Sequence, residues 1–263
     1  MRDALHYEWI RLKTLRSTWW LTWLTLGFSL LSGLFALGLT DKPVTVTNFG
    51  DILTGGQGTV DTLLQILLGM IGVFAIGHEY RYGTMRPTLS AIPRRSILMA
   101  AKVIVVSAFV LVIAILCHVL RYLVALLIVG KAFGRLGLFP GPMGRVWFGV
   151  CIYMVLFALV GLALASLFRN IPAALVTLIV APLLVDPIIR GLPTIPALKS
   201  VRGFGKVLPF SAGAQIFKYT PVDSGAPAGF REVPSPYVGL TIFVVFLGIV
   251  LGLAWLLFEK RDA

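Results

Sequence analysis

Unbroken apolar blocks, each about as long as a bilayer is thick, constrain this chain more than any motif in it. Crossing roughly 30 Å of hydrocarbon takes a helix of about 20 mainly apolar residues. Lipid offers no partner for backbone N–H and C=O groups, so a block of this kind must satisfy its own, as a helix does. Six such blocks occur, at about 19–39, 60–77, 102–124, 146–168, 171–189 and 237–258. They predict an all-α polytopic membrane protein with six transmembrane helices in one transmembrane domain, 1–263. Composition agrees: 13% of residues are charged, against about 25% in soluble domains, too few to coat a water-facing surface.

The blocks differ in detail. The first opens on Trp19, Trp20 and Trp23, whose indoles suit a headgroup interface. The third begins at Lys102 and runs apolar to Val129 except for His118 and Arg121. That exceeds one crossing, and it predicts Arg121 near the far headgroups, where its long stem lets it snorkel. Pro182 and Pro187 should kink the fifth block, and Asp186 and Arg190 lie near its far end. Before the first block, residues 1–17 form an amphipathic pattern with Leu5, Trp9 and Leu12 on one face. This predicts an interfacial helix in the inner headgroup layer. No small-residue cleavage site follows the first block, so it is expected to remain in the mature chain.

Basic residues outnumber acidic ones, 23 to 11. They gather at the ends of apolar blocks, where they meet anionic lipid headgroups. No stripe of interleaved basic and aromatic residues forms, so nucleic acid is excluded as a partner. With both termini inside, Arg2, Arg11, Lys13 and Arg16 flank the first span, and Arg81, Arg86, Arg94, Arg95 and Lys102 lie between the second and third. Short loops near span ends weigh most in the positive-inside rule, so both ends are expected to be cytoplasmic. Lys131, Arg135 and Arg145 argue the other way.

Catalytic patterns are lacking. Cys117 and Cys151 both sit in apolar blocks, and His6, His78 and His118 are scattered. His78-Glu79 is not part of a His-Glu-x-x-His pair, and Gly55, Gly56 and Gly58 lack the lysine of a phosphate loop. No catalytic, cofactor or metal residue is expected, and no nucleotide-binding domain is expected in these residues. Nothing groups polar residues as an intramembrane enzyme requires. No internal repeat supports an inverted-repeat transporter.

The connection at 78–101 is the densest polar stretch. It reads His78-Glu79-Tyr80-Arg81-Tyr82-Gly83-Thr84-Met85-Arg86, then Pro93-Arg94-Arg95. A short helix is expected over Thr84–Ile92, interrupted early by Pro87. Glu79 is expected to pair with Arg81 or with the N-terminal helix, and Gly83 to allow a tight turn.

Several of these residues, in order, are similar to the permease subunits of type-two ABC transporters, a bacterial exporter family. The likeness rests on Glu8-Trp9, Lys13 and Leu15-Arg16-Ser17-Thr18-Trp19 before the first span, and on Glu79-Tyr80-Arg81-Tyr82-Gly83-Thr84 after the second. Thr88-Leu89, Pro93-Arg94-Arg95, Lys102 and Leu208-Pro209 continue it. The resemblance implies a permease of the bacterial cytoplasmic membrane that works with a second permease copy or homologue and with cytoplasmic ABC ATPase subunits. ATP-Mg would then bind on the ATPases. It implies that a coupling loop containing Glu79, Arg81, Gly83, Thr84, Arg86, Pro93, Arg94 and Arg95 touches the ATPases. The interfacial helix with Glu8, Trp9, Lys13 and Arg16 would do the same. It further implies that part of the extracellular segment 191–236 dips back toward the membrane.

Cysteine labelling in intact cells tests the orientation. A membrane-impermeant reagent should modify a cysteine placed at position 50 and spare one at position 3; labelling at position 3 would reverse the assignment.

Overall fold

A computed structural model describes residues 1–38, 59–129, 143–192, 195, 207–218 and 235–260. Every regular element among them is helical. Helix α1 is Arg2–Thr14 and α2 is Arg16–Gly38. After them come α3, Thr59–Arg81, the short α4, Met85–Ala91, and α5, Arg95–Val129. Next are α6, Met143–Phe168, and α7, Ile171–Val180. A π-helical turn, Ala181–Val185, leads into α8, Asp186–Gly191. Helix α9, Pro209–Gly213, runs into a 3-10 turn, Ala214–Ile216, and α10 is Pro236–Lys260.

Among the described residues, five helices are long and apolar enough to cross a membrane: Thr62–Arg81, Arg95–Ile128, Gly144–Phe168, Ile171–Gly191 and Pro236–Lys260. The apolar blocks predict six. The remaining block forms α2, 23 residues long, diluted by three tryptophans and by Thr18, Thr22, Thr25, Ser29 and Ser32. Three of these hydroxyls, Thr22, Thr25 and Ser32, bond to backbone carbonyls of the same helix and need no water. Thr22 and Thr25 each donate to the carbonyl four residues back, at 2.8 and 2.7 Å. A long helix can thus carry polar residues with its hydrogen bonds closed internally.

Two expectations about α5 change. The helix starts at Arg95 rather than Lys102, and its 35 residues span about 52 Å, well beyond a hydrocarbon core. Arg121 does not snorkel. It is 1% exposed, with Nε donating to the Ser29 carbonyl at 3.0 Å and Nη2 to Ser32 Oγ at 2.6 Å. Helix α2 lies alongside and supplies acceptors that a headgroup would otherwise provide, so the guanidinium fastens two helices together.

The expected break in the fifth block is present as the π-helical turn. A wider turn absorbs the missing N–H of Pro182 and the ring of Pro187 while the chain remains helical. Upstream, Asn170 caps α7 by accepting from the Ala173 N–H at 3.2 Å. Within 191–236, α9 and the turn after it pack among α6 and α10, and Tyr153 donates to the Phe210 carbonyl at 3.0 Å. Most of that segment, and residues 39–58, fall outside the described residues.

The centre of the bundle is the α3–α6 pair. A Cβ at Gly72 would overlap the Ala158 carbonyl, and one at Gly161 would overlap the Gly69 carbonyl. Only glycine permits this backbone approach, which lipid-embedded helices use because burial from water cannot drive their association. Around the pair lie Leu68, Phe157, Leu162 and Leu178, all buried. At one end of the bundle, Arg95 Nη1 donates to the carbonyls of Phe258 and Glu259, at 3.3 and 3.4 Å. The end of α10 therefore shares a side with α4 and the start of α5. The starts of α6 and α10, with α9, are at the opposite end.

Gly72→Val should lower the unfolding temperature of the detergent-purified protein and cost about 1–3 kcal/mol, the usual penalty of overpacking. Gly248→Ala on α10, where an added Cβ meets nothing within 4 Å, should leave it unchanged. Equal shifts for both would contradict the close α3–α6 approach.

Candidate functional site

The end of the bundle that carries α1 and α4 is organised by charge. Helix α1 buries Ala4, Glu8 and Leu12, one residue off the Leu5–Trp9–Leu12 face expected from apolar spacing. Trp9 is 43% exposed and meets Phe109 of α5 edge-on at 6.2 Å. The shift has an electrostatic reason. Glu8 turns inward because its partners are there.

Four ionisable side chains from three helices converge. Lys102 of α5 donates to Glu8 Oε1 at 2.7 Å and to Glu79 Oε1 of α3 at 2.8 Å. Arg11 of α1 meets Glu8 Oε2 at 3.0 Å and Glu79 Oε1 at 2.5 Å. Its second nitrogen donates to the Ala75 carbonyl of α3 at 2.7 Å. Lys102 is fully buried and Glu79 1% exposed. Two carboxylates thus face two cations with no net charge, the condition under which charges tolerate burial. Glu79 Oε2 is buried without a hydrogen-bond partner, so the cluster is not saturated.

Burial holds the Glu8 carboxyl above the usual carboxylate range, against the pull of Lys102 and Arg11. A raised folded pKa means that the native state takes up the proton more readily than the unfolded chain. Glu8's contribution to stability is then fully present below the unfolded pKa and declines as pH rises through the folded one. Glu8 is therefore a weaker source of stability at higher pH than at lower pH. Its geometric effect is to fix α1 on α5.

The connection from α3 to α5 is built onto this cluster. The chain turns at Gly83, whose φ of +66° favours glycine. Thr84 N–H donates to the Glu79 carbonyl at 3.1 Å. Helix α4 then runs Met85–Ala91, and Pro87 does not interrupt it as expected. Pro87 occupies the first turn, where no N–H is required. Met85 and Thr88 face the bundle, and Thr88 Oγ1 is 3.1 Å from the Tyr7 hydroxyl of α1. Pro93 follows the helix.

The structure separates the expected site residues into two groups. Glu8 and Glu79 are drawn together in the cluster. Arg81, Gly83, Thr84, Arg86, Pro93 and Arg94 line an exposed outer surface with Tyr82, and Lys13 and Arg16 are exposed on α1 and α2. Arg95 is partly buried against the end of α10. Arg81 is not the partner of Glu79. Its guanidinium lies 5.6 Å from the Tyr82 ring centroid. Sequence reasoning misses Arg11 and the fully buried position of Lys102. Two signals point to them: the 4-8-12 spacing that puts Glu8 between Ala4 and Leu12, and a lysine seven residues inside a helix that opens at Arg95. Among the described residues no His/Cys/Asp/Glu group could hold a metal ion.

A sequence profile of the family described as ABC-2 family transporter protein matches residues 4–183. The match includes all four cluster residues and more than half of the chain. No curated protein matches the chain.

Removing one member of the cluster should be costly. Lys102→Met leaves two buried carboxylates to share Arg11 alone and should destabilise the protein by about 3–5 kcal/mol, whereas adding Glu8→Gln to it should recover part of that loss. Thermal unfolding of these two variants and of Glu8→Gln alone, at matched detergent and pH, measures the coupling. Strict additivity would show that Glu8 and Lys102 do not interact.

Proposed function

We propose that this chain, which belongs to the ABC-2 transporter family, is the membrane-spanning permease subunit of an ATP-driven exporter. In this reading α2 completes a set of six spans, and both termini are in the cytoplasm of a bacterial cell. Cytoplasmic ABC ATPase subunits bind ATP-Mg, and a second permease copy or homologue completes the pathway. The single observation that carries the reading is the charge cluster beneath the exposed α3–α5 connection. A surface of Arg81, Tyr82, Thr84, Arg86 and Arg94 faces outward, while Glu79 and Lys102, at the roots of the same connection, are tied to α1.

Such an arrangement transmits force. A push on α4 is delivered directly to α3 and α5, because the connection is short and helical. It reaches α1 through Glu8, Arg11 and the Tyr7–Thr88 contact. It reaches α10 through Arg95. ATPase closure then tilts several spans together, shifting the pathway from inside-facing to outside-facing. No covalent step on this chain is needed. The interfacial placement of α1 follows from the same reading, with Lys13, Arg16, Trp19 and Trp20 toward headgroups.

Glu79→Ala should leave membrane insertion intact, because insertion depends on the apolar spans, but weaken the recovery of the ATPase or the coupling of its hydrolysis. Gly83→Val forces a β-branched residue into a left-handed turn at a cost of about 1–2 kcal/mol and should disturb the same surface. Both are checked at matched expression, by pull-down of the ATPase and by the ATPase rate of the assembled complex. Normal values for both variants would leave the connection as a basic loop that only sets topology.

A further inference from the structure

The corner where α1 meets α2 has an outward edge that the charge cluster does not use. Along α1, Arg2, His6, Trp9 and Lys13 recur at the three-four spacing of one helical stripe, and all four are exposed. Along α2, Arg16, Trp20 and Trp23 repeat that spacing and are exposed as well. Trp19 closes the corner, its Nε1 donating to the Lys13 carbonyl at 2.7 Å. Four of the chain's six tryptophans are thus gathered at one edge, a concentration that suits a bilayer interface rather than water.

The edge has a direction. Glu8 reaches Lys102, while Trp9, the next residue, meets Phe109, seven residues and about 10 Å further along α5. Trp9 therefore points down the span rather than away from the end of the bundle. Trp20 and Trp23 likewise lie about 6 and 10 Å beyond Arg16 along α2. Indoles toward the span with cations around them match the layering of an interface, acyl boundary and then headgroup phosphates.

The charge on this edge has one sign and no internal partner. Among the described residues no carboxylate comes within ion-pair distance of Arg2, Lys13 or Arg16, and the ion pairs all lie inside the cluster of Glu8, Arg11, Glu79 and Lys102. Asp3 is exposed but stands about 100° round α1 from Arg2. Helix α2 has no acidic residue in its first turn, so its amide end adds to the positive field. A zwitterionic headgroup carries its own cation and would leave these three unmatched. A water-soluble anion would not engage the indoles below them.

We propose that this edge is a binding surface for anionic phospholipid, whose headgroups pair with Arg2, Lys13 and Arg16 while Trp9, Trp20 and Trp23 rest at the acyl boundary. This rests on the interfacial placement of α1 in the reading above. Helix α1 is then held from both sides, by Glu8 and Arg11 on its inner face and by lipid on its outer one, so the charge of the leaflet bears on how firmly α1 stays docked.

The test uses the full chain in phosphatidylcholine nanodiscs, with Trp147 and Trp255 replaced by phenylalanine so that fluorescence comes from the four tryptophans of the corner. A minor share of the lipid is exchanged for a brominated one, either phosphatidylcholine or phosphatidylglycerol, whose bromines quench the indoles that they touch. The apparent affinity of brominated phosphatidylglycerol for the corner should exceed that of brominated phosphatidylcholine by roughly fivefold or more, the preference that one basic residue near an anionic surface supplies. Arg2→Gln, Lys13→Gln and Arg16→Gln combined should bring the two lipids level, with quenching by brominated phosphatidylcholine unchanged because the corner is still in place. Lys260→Gln, on α10 at the same end, should keep the preference. Equal quenching by both lipids in the parent chain overturns the proposal and leaves the interfacial placement standing. A preference that survives the triple substitution overturns the assignment to these residues. Quenching by neither lipid would mean that the edge faces protein or water, and would overturn the interfacial placement together with the proposal.

Discussion

Two carboxylates and two cations buried in one place set the position of everything at one end of this molecule. Glu8, Arg11, Glu79 and Lys102 come from three helices, and none of them tolerates burial alone. Each charge costs several kcal/mol to desolvate, and the cost is recovered only when the partners are at hydrogen-bond distance. The cluster therefore defines where α1 sits, how α3 ends and at what depth α5 begins. What it provides is an all-or-none register. Helix α1 is either docked with all four charges matched or displaced with several unmatched.

The bundle's middle uses a different chemistry. Helices α3 and α6 meet through glycine backbones, with no charge pair between them in the described contacts. Close backbone contact resists shear and carries displacement along the axis. Glu79 lies seven residues beyond Gly72 on α3, so the charge cluster stands about two turns from the α6 contact. From Gly161, α6 runs eight residues back to Tyr153, whose hydroxyl holds the Phe210 carbonyl. The charge cluster and the packed α9 segment are thus ends of one contiguous set of packed elements.

Much of this architecture is legible in the amino-acid sequence alone. The apolar blocks specify the all-helical membrane class, and the order of motifs points to the family that the matched profile shows. The turn at Gly83 and the break near Pro182 and Pro187 are also visible there, because glycine and proline act locally. Contacts between residues far apart in the chain are not. Nothing in the sequence near Glu79 indicates that its cations are residues 11 and 102 rather than its neighbour Arg81. Apolar spacing misplaces the buried face of α1 by one residue because it weighs Trp9 as apolar and Glu8 as polar. In a lipid-facing protein that weighting reverses, since Trp9 suits the periphery and a charge needs the interior. Arg121 escapes for a related reason. Depth along a helix follows from counting residues, but whether a neighbouring helix offers a carbonyl does not.

A connected set of contacts is necessary for coupling between two ends, but it does not by itself produce a switch. Coupling requires an element with two discrete arrangements that both ends bias. Helices α3, α5 and α6 are continuous over their described lengths. The span from Ile171 to Gly191 differs. It is interrupted at its centre by a π turn, it has one proline in that turn and another just after it, and its later half carries a buried acid whose partner belongs to another element. Proline fixes the local backbone, so any bending concentrates at the turn rather than spreading along the helix. Asp186 follows that turn directly and accepts from Ser211 of α9, so the geometry of the turn bears on that contact. A hydrogen bond weakens steeply once the donor moves a few tenths of an ångström beyond its range or out of line. The contact between Asp186 and Ser211 is in this way sensitive to a bend at the turn, as it would not be beside a uniformly regular span.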